Sequence, residues 1–448
     1  MKKLYVLLVL AFIEQNASGQ SSILQAYINQ GLESNLSLKQ ENLELQKALK
    51  SIDIAKSNLF PKISFSPTYS LAAGGRRLEF PIGDLLNPVY STLNQLTKTN
   101  NFPQVENVNQ QLSPNNFHDT KFAIQYPIFN PDIKNNIAVQ KEILQSEYAK
   151  KRFLEYELKH NIEHAYYQCL QSLEAIKIYE NSKAVLQELN ILNKKLLDNH
   201  VILKDVVLTS EYEQEKLEQQ IVEAQKNSTL AKAYFNFLIN RPLEDQIEID
   251  TNLIVSLPLM SDLPKYTQSA MENRPEFDQI NSGKRINQSL LNLQQKNAKL
   301  PQAFIGANTG FQGFGYSFSN QAYLVAQLGL TWDLYHGYEK KHKIEQIKIS
   351  TEIFNVKLEE VKTKMQLQVL QKYKELQASI SNLTSSKGGI DKTQKIFDLV
   401  SSRYKNGNAI FMEVSKAQND LMLAKLAENL NKYDIWIKYA DLKKVSGL

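Results

Sequence analysis

The chain has 448 residues, of which 42% are hydrophobic and 22% are charged, and its formal net charge is +5. This composition excludes an intrinsically disordered chain and a helical membrane protein with many spans. The 52 basic residues are interspersed with 47 acidic ones instead of forming one patch, so we expect no nucleic-acid partner.

Residues 1–19 have the composition of a secretory signal peptide. Lys2 and Lys3 precede an apolar run over residues 4–13, and small residues at 17–19 predict cleavage before Gln20. The apolar run is too short to span a bilayer, and no later segment reaches the roughly 18 uninterrupted apolar residues that a membrane helix needs. The sequence therefore predicts an exported protein without a helical anchor.

The sequence after residue 19 contains two copies of one order of elements. Three pairs of matching positions mark the copies: Pro61 and Pro301, Phe129 and Tyr335, and His200 and Gly407. The spacing between copies falls from 240 to 206 residues and then stays nearly constant, so one insertion of 34 residues in the first copy explains the difference. We predict a first structural repeat over 20–240, an irregular linker over 241–270 and a second repeat over 271–448.

Each copy is predicted to contain a helix, a strand, a loop, a second strand, a very long helix, a tight turn and a long helix. The strands are indicated by apolar residues at every second position: Ile63, Phe65, Tyr69 and Leu71, then Phe122, Ile124, Tyr126 and Ile128, and in the second copy Leu324, Ala326, Leu328, Leu330, Trp332 and Leu334. Residues 303–311 alternate less regularly. A strand between lipid and water requires this period of two; half-buried strands of a soluble sheet are the alternative.

The long helices are predicted from runs without breakers. Residues 134–198 contain neither Pro nor Gly, which allows a helix of roughly 95 Å at about 1.5 Å per residue. Apolar residues at spacings of three and four predict coiled-coil packing. Gly388 and Gly389 interrupt the corresponding helix of the second copy, and we expect a local unwinding there.

Four strands in one chain cannot close a barrel, and an open sheet edge is not tolerated in lipid. Other copies of the chain must therefore complete the sheet. Two copies give eight strands with an interior filled by side chains, whereas three give twelve strands around a water-filled bore. The polar faces of the strands favour three copies.

Four short motifs at repeat spacing give the chain a family resemblance. They are Leu-Phe-Pro-Lys-Ile at 59–63, Arg-Pro-Glu-Phe at 274–277, Trp-Asp-Leu-Tyr-His-Gly at 332–337 and Arg-Tyr-Lys-Asn-Gly at 403–407. With them the chain resembles the TolC family of outer membrane efflux proteins, over essentially all of the sequence after residue 19. The resemblance implies a mainly α fold with a small β part. Each chain then contributes four strands to a trimeric twelve-stranded barrel in the Gram-negative outer membrane, continued by a coiled-coil helical tunnel in the periplasm.

The resemblance also implies where partners bind. In the family the two helical turns form the periplasmic tip, where the tunnel closes and a periplasmic adaptor docks, linking the channel to an inner-membrane pump. By position these turns are Asn199 and His200 in the first copy, and Asn406 and Gly407, with Tyr404 just before them, in the second. His200 stands where glycine is usual, so its turn is expected to differ in shape or to be strained.

A pore constriction is implied just after the second turn. Some family members carry two acidic residues there, one helical turn apart, whereas this chain has Glu413 and Lys416. One acidic and one basic residue do not predict an anionic ring. In a trimer they are instead expected to pair with each other and to hold the tip shut.

Two sequence features suggest metal-dependent or thiol chemistry, and each has a simpler structural interpretation. His160, Glu163 and His164 spell H-x-x-E-H, a zinc-peptidase signature, but a chance match within a long helix is the better interpretation. Cys169 is the only cysteine and lies on a packing stripe, which predicts an inert core thiol. We expect no cofactor, no metal and no enzymatic activity.

The sequence thus predicts a passive outer-membrane channel that receives solutes from an adaptor and a pump. An outer-membrane channel for type I protein secretion is the alternative within this class. A periplasmic coiled-coil adaptor is the alternative of another class, because adaptors share the signal peptide and the long helices. The cargo stays open, as does the question of whether loop 72–119 plugs or decorates the outer mouth.

Overall fold

A computed structural model describes residues 22–250, 257–297, 300–335 and 337–448. The predicted signal peptide at 1–19 lies outside the described residues. The elements follow in chain order: α1 Ser22–Ser34, α2 Leu36–Ser57, β1 Lys62–Ser70, β2 Arg77–Phe80, α3 Ile82–Thr97, β3 Val108–Gln111, β4 Phe117–Phe129, α4 Pro131–Asp198, α5 Lys204–Leu238, α6 Leu263–Asn273, α7 Pro275–Asn297, β5 Gln302–Phe314, β6 Ala322–Thr331, α8 Glu339–Lys405 and α9 Phe411–Ser446. The predicted class, mainly helical with a small β part, is confirmed.

The chain divides into two compact units, and each unit draws residues from both halves of the sequence. The strand unit consists of Lys50–Lys141 and Asn287–Lys348. The helical unit contains the remainder, which includes Glu142–Ile286 and Ile349–Leu448. Among the described residues, all six strands lie in the strand unit, and most of the length of the long helices lies in the helical unit.

The four predicted strands form one antiparallel sheet in the order β1-β4-β5-β6, so β1 and β6 are its edges. The register places apolar residues opposite one another, as in Ile63 opposite Ile124 and Phe65 opposite Phe122. Because side chains alternate between the faces of a sheet, this register collects the apolar side chains of neighbouring strands on one face.

The two ends of the sheet lead to different segments. At one end Ser70 pairs with Phe117, which pairs with Phe314, so the segment 71–116 and the β5–β6 turn leave from this end. The opposite ends of the strands adjoin α2, α4, α7 and α8 in sequence. The sheet thus has a loop end and a helix end.

The long helices form where the sequence lacks breakers. The predicted helix at 134–198 is confirmed as α4, whose 68 residues correspond to about 100 Å. Within the helical unit, aromatic residues of three helices share one core. The ring of Tyr27 in α1 lies 5.0 Å from that of Phe235 in α5 and 6.1 Å from that of Tyr166 in α4. Both Tyr166 and Phe235 are fully buried.

The expected unwinding at Gly388 and Gly389 is wrong. Both residues lie inside α8, which is continuous from Glu339 to Lys405. A glycine in a helix interior costs only about 1 kcal/mol relative to alanine, and the helical hydrogen bonds on both sides maintain the backbone conformation.

Two segments expected to be irregular contain regular structure. The linker 241–270 includes the start of α6, where Pro264 lies in the first turn and Tyr266 and Ala270 are buried. Proline is tolerated at this position because the N–H that it lacks has no helical partner there. The loop 72–119 contains β2, α3 and β3, so half of it has regular secondary structure.

Among the described residues, none of the helices combines the length and the hydropathy that crossing a bilayer requires.

Candidate functional site at the helical turns

The two turns between the long helices have the same backbone geometry. His200 and Gly407 both adopt a left-handed conformation, with φ of 59° and 77°. Each turn is closed by two amide-to-carbonyl hydrogen bonds: Val201 to Leu196 at 2.8 Å and His200 to Leu197 at 2.8 Å, then Asn408 to Arg403 at 2.8 Å and Gly407 to Tyr404 at 3.0 Å. This pairing is the Schellman motif, which satisfies the last carbonyl groups of a helix. The structure therefore places a histidine in a position that favours glycine.

The helices that follow the turns also begin alike. Leu203 and Ile410 are extended residues that precede α5 and α9, with φ near −90° and ψ near 160°. They lie 207 positions apart, as do His200 and Gly407. The positions that the predicted repeats match at the two turns therefore share one backbone conformation.

The turns expose apolar side chains. Leu203 is 74% exposed and Ile410 is 64% exposed, and Val201 and Met412 beside them are also more than half exposed. Asn199, His200, Asn406 and Gly407 are exposed as well. Surfaces of this composition are suited to protein contacts.

Tyr404 occupies a different environment from the other turn residues. It is buried, donates a hydrogen bond to Oδ1 of the fully buried Asn193, and packs its ring 6.2 Å from that of Phe411. Burial raises the pKa of the Tyr404 hydroxyl, so it stays protonated and remains a donor. Tyr404 therefore anchors the end of α8 to α4 below the surface of the turn.

Four helices from both repeats share one hydrophobic cluster near the turns. Its buried members are Leu186 and Leu189 of α4, Leu217 and Ile221 of α5, Tyr404 of α8, and Phe411, Val414 and Met422 of α9. This cluster joins the two turns, which are far apart in sequence.

The two candidate constriction residues are both exposed, one helical turn apart near the start of α9. The Glu413 carboxylate lies 3.8 Å from Nη2 of Arg403, in the last turn of α8. Sequence reasoning missed Arg403 as a partner, although it belongs to the motif that marks the turn. Lys416 is exposed on the same helix.

The H-x-x-E-H residues take part in contacts between helices. His160 Nε2 lies 2.8 Å from Oδ1 of Asp441, and Glu163 is paired with Lys443 at 2.5 Å, so both contact α9. Within the described part of the chain, no three His, Cys, Asp or Glu side chains are grouped as a metal site. The motif here connects α4 to α9.

Asp441 is the centre of a polar network that joins three helices. Besides His160 of α4, it binds Nζ of Lys372 in α8 at 3.0 Å. Burial by itself would raise the pKa of Asp441, but the hydrogen bonds from His160 and Lys372 outweigh it and lower the pKa to about 2. The carboxylate is therefore charged at all physiological pH values.

Cys169 is buried, as predicted, in the core of the helical unit. Burial raises the pKa of its thiol to about 12, which keeps the group protonated and unreactive.

The faces of the sheet in the strand unit form a separate candidate surface. The face opposite the apolar one carries Ser64, Ser66, Thr68, Asp119, Lys121, Gln125, Asn308, Gln312, Tyr323 and Gln327. On it the Tyr323 hydroxyl donates to Asp119 at 2.8 Å, and Asp119 also pairs with Lys121. Sequence reasoning missed the contact between Asp119 and Tyr323 because these residues lie in different repeats.

One family profile matches part of the second half of the chain. Residues 267–448 match the family described as outer membrane efflux protein. No curated protein sequence matches the chain.

Solved structures with the same fold cover almost the whole chain. The outer-membrane channel OprN has a TM-score of 0.71 at 13% identity, over 96% of this chain and 91% of that one. The CmeC outer membrane channel of Campylobacter jejuni has a TM-score of 0.70 at 13% identity, over 95% of this chain and 86% of its own. The open MtrE outer membrane channel of Neisseria gonorrhoeae has a TM-score of 0.67 at 15% identity, over 95% of this chain and 89% of its own.

These comparisons confirm the resemblance to TolC-like outer membrane efflux proteins and the fold class predicted from the sequence. The family and the similar structures are outer-membrane proteins, in agreement with the predicted location in the Gram-negative outer membrane.

Proposed function

We propose that three copies of this chain, which has the fold of TolC-like channels and matches the outer membrane efflux family in its second half, form the outer-membrane channel of a tripartite export system. The channel is a passive conduit and catalyses no reaction. Solutes enter it from a periplasmic adaptor and an inner-membrane pump, which supplies the energy, and leave it at the cell exterior.

The sheet of the strand unit is the observation that carries this proposal. One face is mainly apolar across all four strands, the other is mainly polar, and both edges are unpaired within the described residues. An unpaired edge in hydrocarbon leaves backbone amides and carbonyls without partners, which costs several kcal/mol for each group. Pairing β6 of one copy with β1 of the next removes both edges, and three copies supply twelve strands around a polar bore.

The exposed turns are proposed as the adaptor-docking surface. Leu203 and Ile410 occupy equivalent positions and are both largely exposed, so each chain presents two similar apolar contacts. Asn199, His200, Asn406 and Gly407 form the exposed turns around them, and Tyr404 supports the second turn from beneath.

Glu413 and Lys416 are proposed as gate residues. In the trimer the Glu413 of one copy is expected to pair with the Lys416 of a neighbour and to keep the tip closed. Arg403, which lies 3.8 Å from Glu413 within the chain, competes for the same carboxylate.

Single-channel recording in planar bilayers tests both the channel and its gate. The purified protein is expected to form water-filled pores of low conductance, and Glu413→Gln and Lys416→Gln are each expected to raise that conductance. Glu339→Gln, at the other end of α8, serves as a control for the loss of an exposed charge. Absence of pores contradicts the channel proposal, whereas wild-type conductance in both tip variants contradicts only the gate.

A further inference from the structure

Helix α3, within the insertion between β1 and β4, is attached to the rest of the chain through its polar side. Asn87 exchanges two hydrogen bonds with the backbone of Val105, at 3.0 and 2.8 Å, and Asn94 does the same with Phe102, at 2.8 and 3.1 Å. Asp84 accepts a hydrogen bond from Asn107 at 3.0 Å. The extended segment 102–107 therefore covers the polar face of the helix.

Gly83 allows this segment to approach closely. A Cβ atom on Gly83 would lie only 2.3 Å from the carbonyl oxygen of Val105. Any other residue at this position would push the segment away from the helix. The close approach and the paired amide contacts show that the polar side of α3 is its packed side.

The apolar side of α3 faces outwards. At 100° per residue it lies opposite the asparagine face. It consists of Ile82, Leu85, Leu86, Val89 and Leu96, which are between 36% and 76% exposed. An amphipathic helix in a globular protein normally buries this side, so α3 presents an apolar surface suited to a partner.

The chemistry of α3 argues against a lipid surface as that partner. Helices that lie on membranes carry Lys or Arg on their polar face, where they contact anionic headgroups. Ile82–Thr97 contains neither, and its one charged residue, Asp84, is acidic. The polar face is also occupied by the segment 102–107.

The point at which the segment containing α3 leaves the sheet favours another copy of the same chain as the partner of α3. The insertion leaves the sheet from Ser70, at the loop end of the edge strand β1. In the proposed trimer β1 pairs with the neighbouring copy, so each α3 emerges beside that neighbour. Because only the first repeat carries the insertion, a trimer has three such helices, and threefold symmetry allows the same face of each helix to point towards the common axis.

We propose that α3 helices of neighbouring copies pack against one another through Leu85, Val89 and Leu96 and form an apolar cap at the outer mouth of the channel. This inference rests on the proposed trimer. It assigns loop 72–119 a role in covering the mouth.

Cysteine crosslinking in the detergent-purified full-length protein tests this contact. Leu85→Cys places a thiol on the apolar face. Ser91→Cys places one on the polar side of the same helix, where the exposed Ser91 accepts a hydrogen bond from Gln104 at 3.2 Å. The native Cys169 is buried and serves as the silent background. Oxidation is expected to link Leu85→Cys subunits into dimers, whereas Ser91→Cys subunits stay unlinked. Adding Leu96→Glu to Leu85→Cys is expected to abolish the link.

The oligomeric state of the unoxidised samples, measured under native conditions, distinguishes failure of the cap proposal from failure of the trimer proposal. Trimers in which Leu85→Cys links no better than Ser91→Cys overturn the cap and leave the channel proposal intact. A bimane label on Leu85→Cys that shifts to the blue only when outer-membrane lipopolysaccharide vesicles are added also overturns the cap, because the face then binds lipid. Monomers in every sample contradict the proposed trimer itself.

Discussion

At the residue scale, substitutions at His200 and Gly407 test how much free energy the left-handed backbone conformation of the turns costs. Both have positive φ, and no heavy atom lies within 4 Å of a Cβ built on Gly407, so substitution there changes only the backbone preference. His200→Gly is expected to stabilise the first turn by about 1 kcal/mol, and Gly407→Ala to destabilise the second by a similar amount.

Hydrogen exchange at the amides of Val201 and Asn408 measures these two changes. We expect about fivefold slower exchange at Val201 in His200→Gly and about fivefold faster exchange at Asn408 in Gly407→Ala. Equal exchange in all three proteins would show that the left-handed conformation carries no cost here.

Asp441 provides a pH-dependent prediction. Its folded pKa of about 2 lies below the ordinary value of 3.8, so the network contributes stability above about pH 4 and loses it as the pH falls towards 2. Asp441→Asn is expected to lower the free energy of unfolding by about 2 kcal/mol at neutral pH. Urea titrations should show the difference between wild type and variant shrinking across this window, and a pH-independent difference would contradict the assignment.

At the element scale, the two faces of β1 give a matched test. Phe65 lies opposite Phe122 on the apolar face, and Ser64 lies opposite Ala123 on the other. Lysine on a lipid-facing strand position costs about 2–4 kcal/mol near the bilayer centre, whereas a position facing water tolerates it. Phe65→Lys is therefore expected to destabilise the assembled protein and Ser64→Lys to leave it nearly unchanged.

Urea unfolding in lipid vesicles, followed by the electrophoretic shift of the assembled form, compares these two variants. Equal loss of stability in both, or greater loss in Ser64→Lys, would mean that the apolar face does not contact lipid.

The main elements were predictable because their periodicity is local. Alternation over residues 62–71 and 121–128 indicated β1 and β4, and the run without breakers over 134–198 indicated α4. The structure of α3 was not predicted, because Asn87 and Asn94 stabilise it through contacts with residues 8 to 18 positions later. The glycine pair in α8 suggested an irregularity that the continuous helix around it overrides.

The candidate site was only partly predictable. Matching repeats located both turns, since the spacing of 207 residues is preserved through His200 and Gly407. The sequence did not indicate that Tyr404 is buried against Asn193, or that Arg403 lies near Glu413, because both contacts depend on how separate helices pack.

At the scale of the whole molecule, each compact unit contains parts of both predicted repeats. Completion of the four-stranded sheet by other copies is the central claim. The gate and the α3 cap depend on it, because each requires neighbouring chains related by symmetry.

Native mass spectrometry of the protein extracted from outer membranes in detergent tests this claim most directly. We expect a single species of three chains that separates into monomers only on denaturation. A monomer that is extracted without detergent and stays monomeric in lipid vesicles would contradict it.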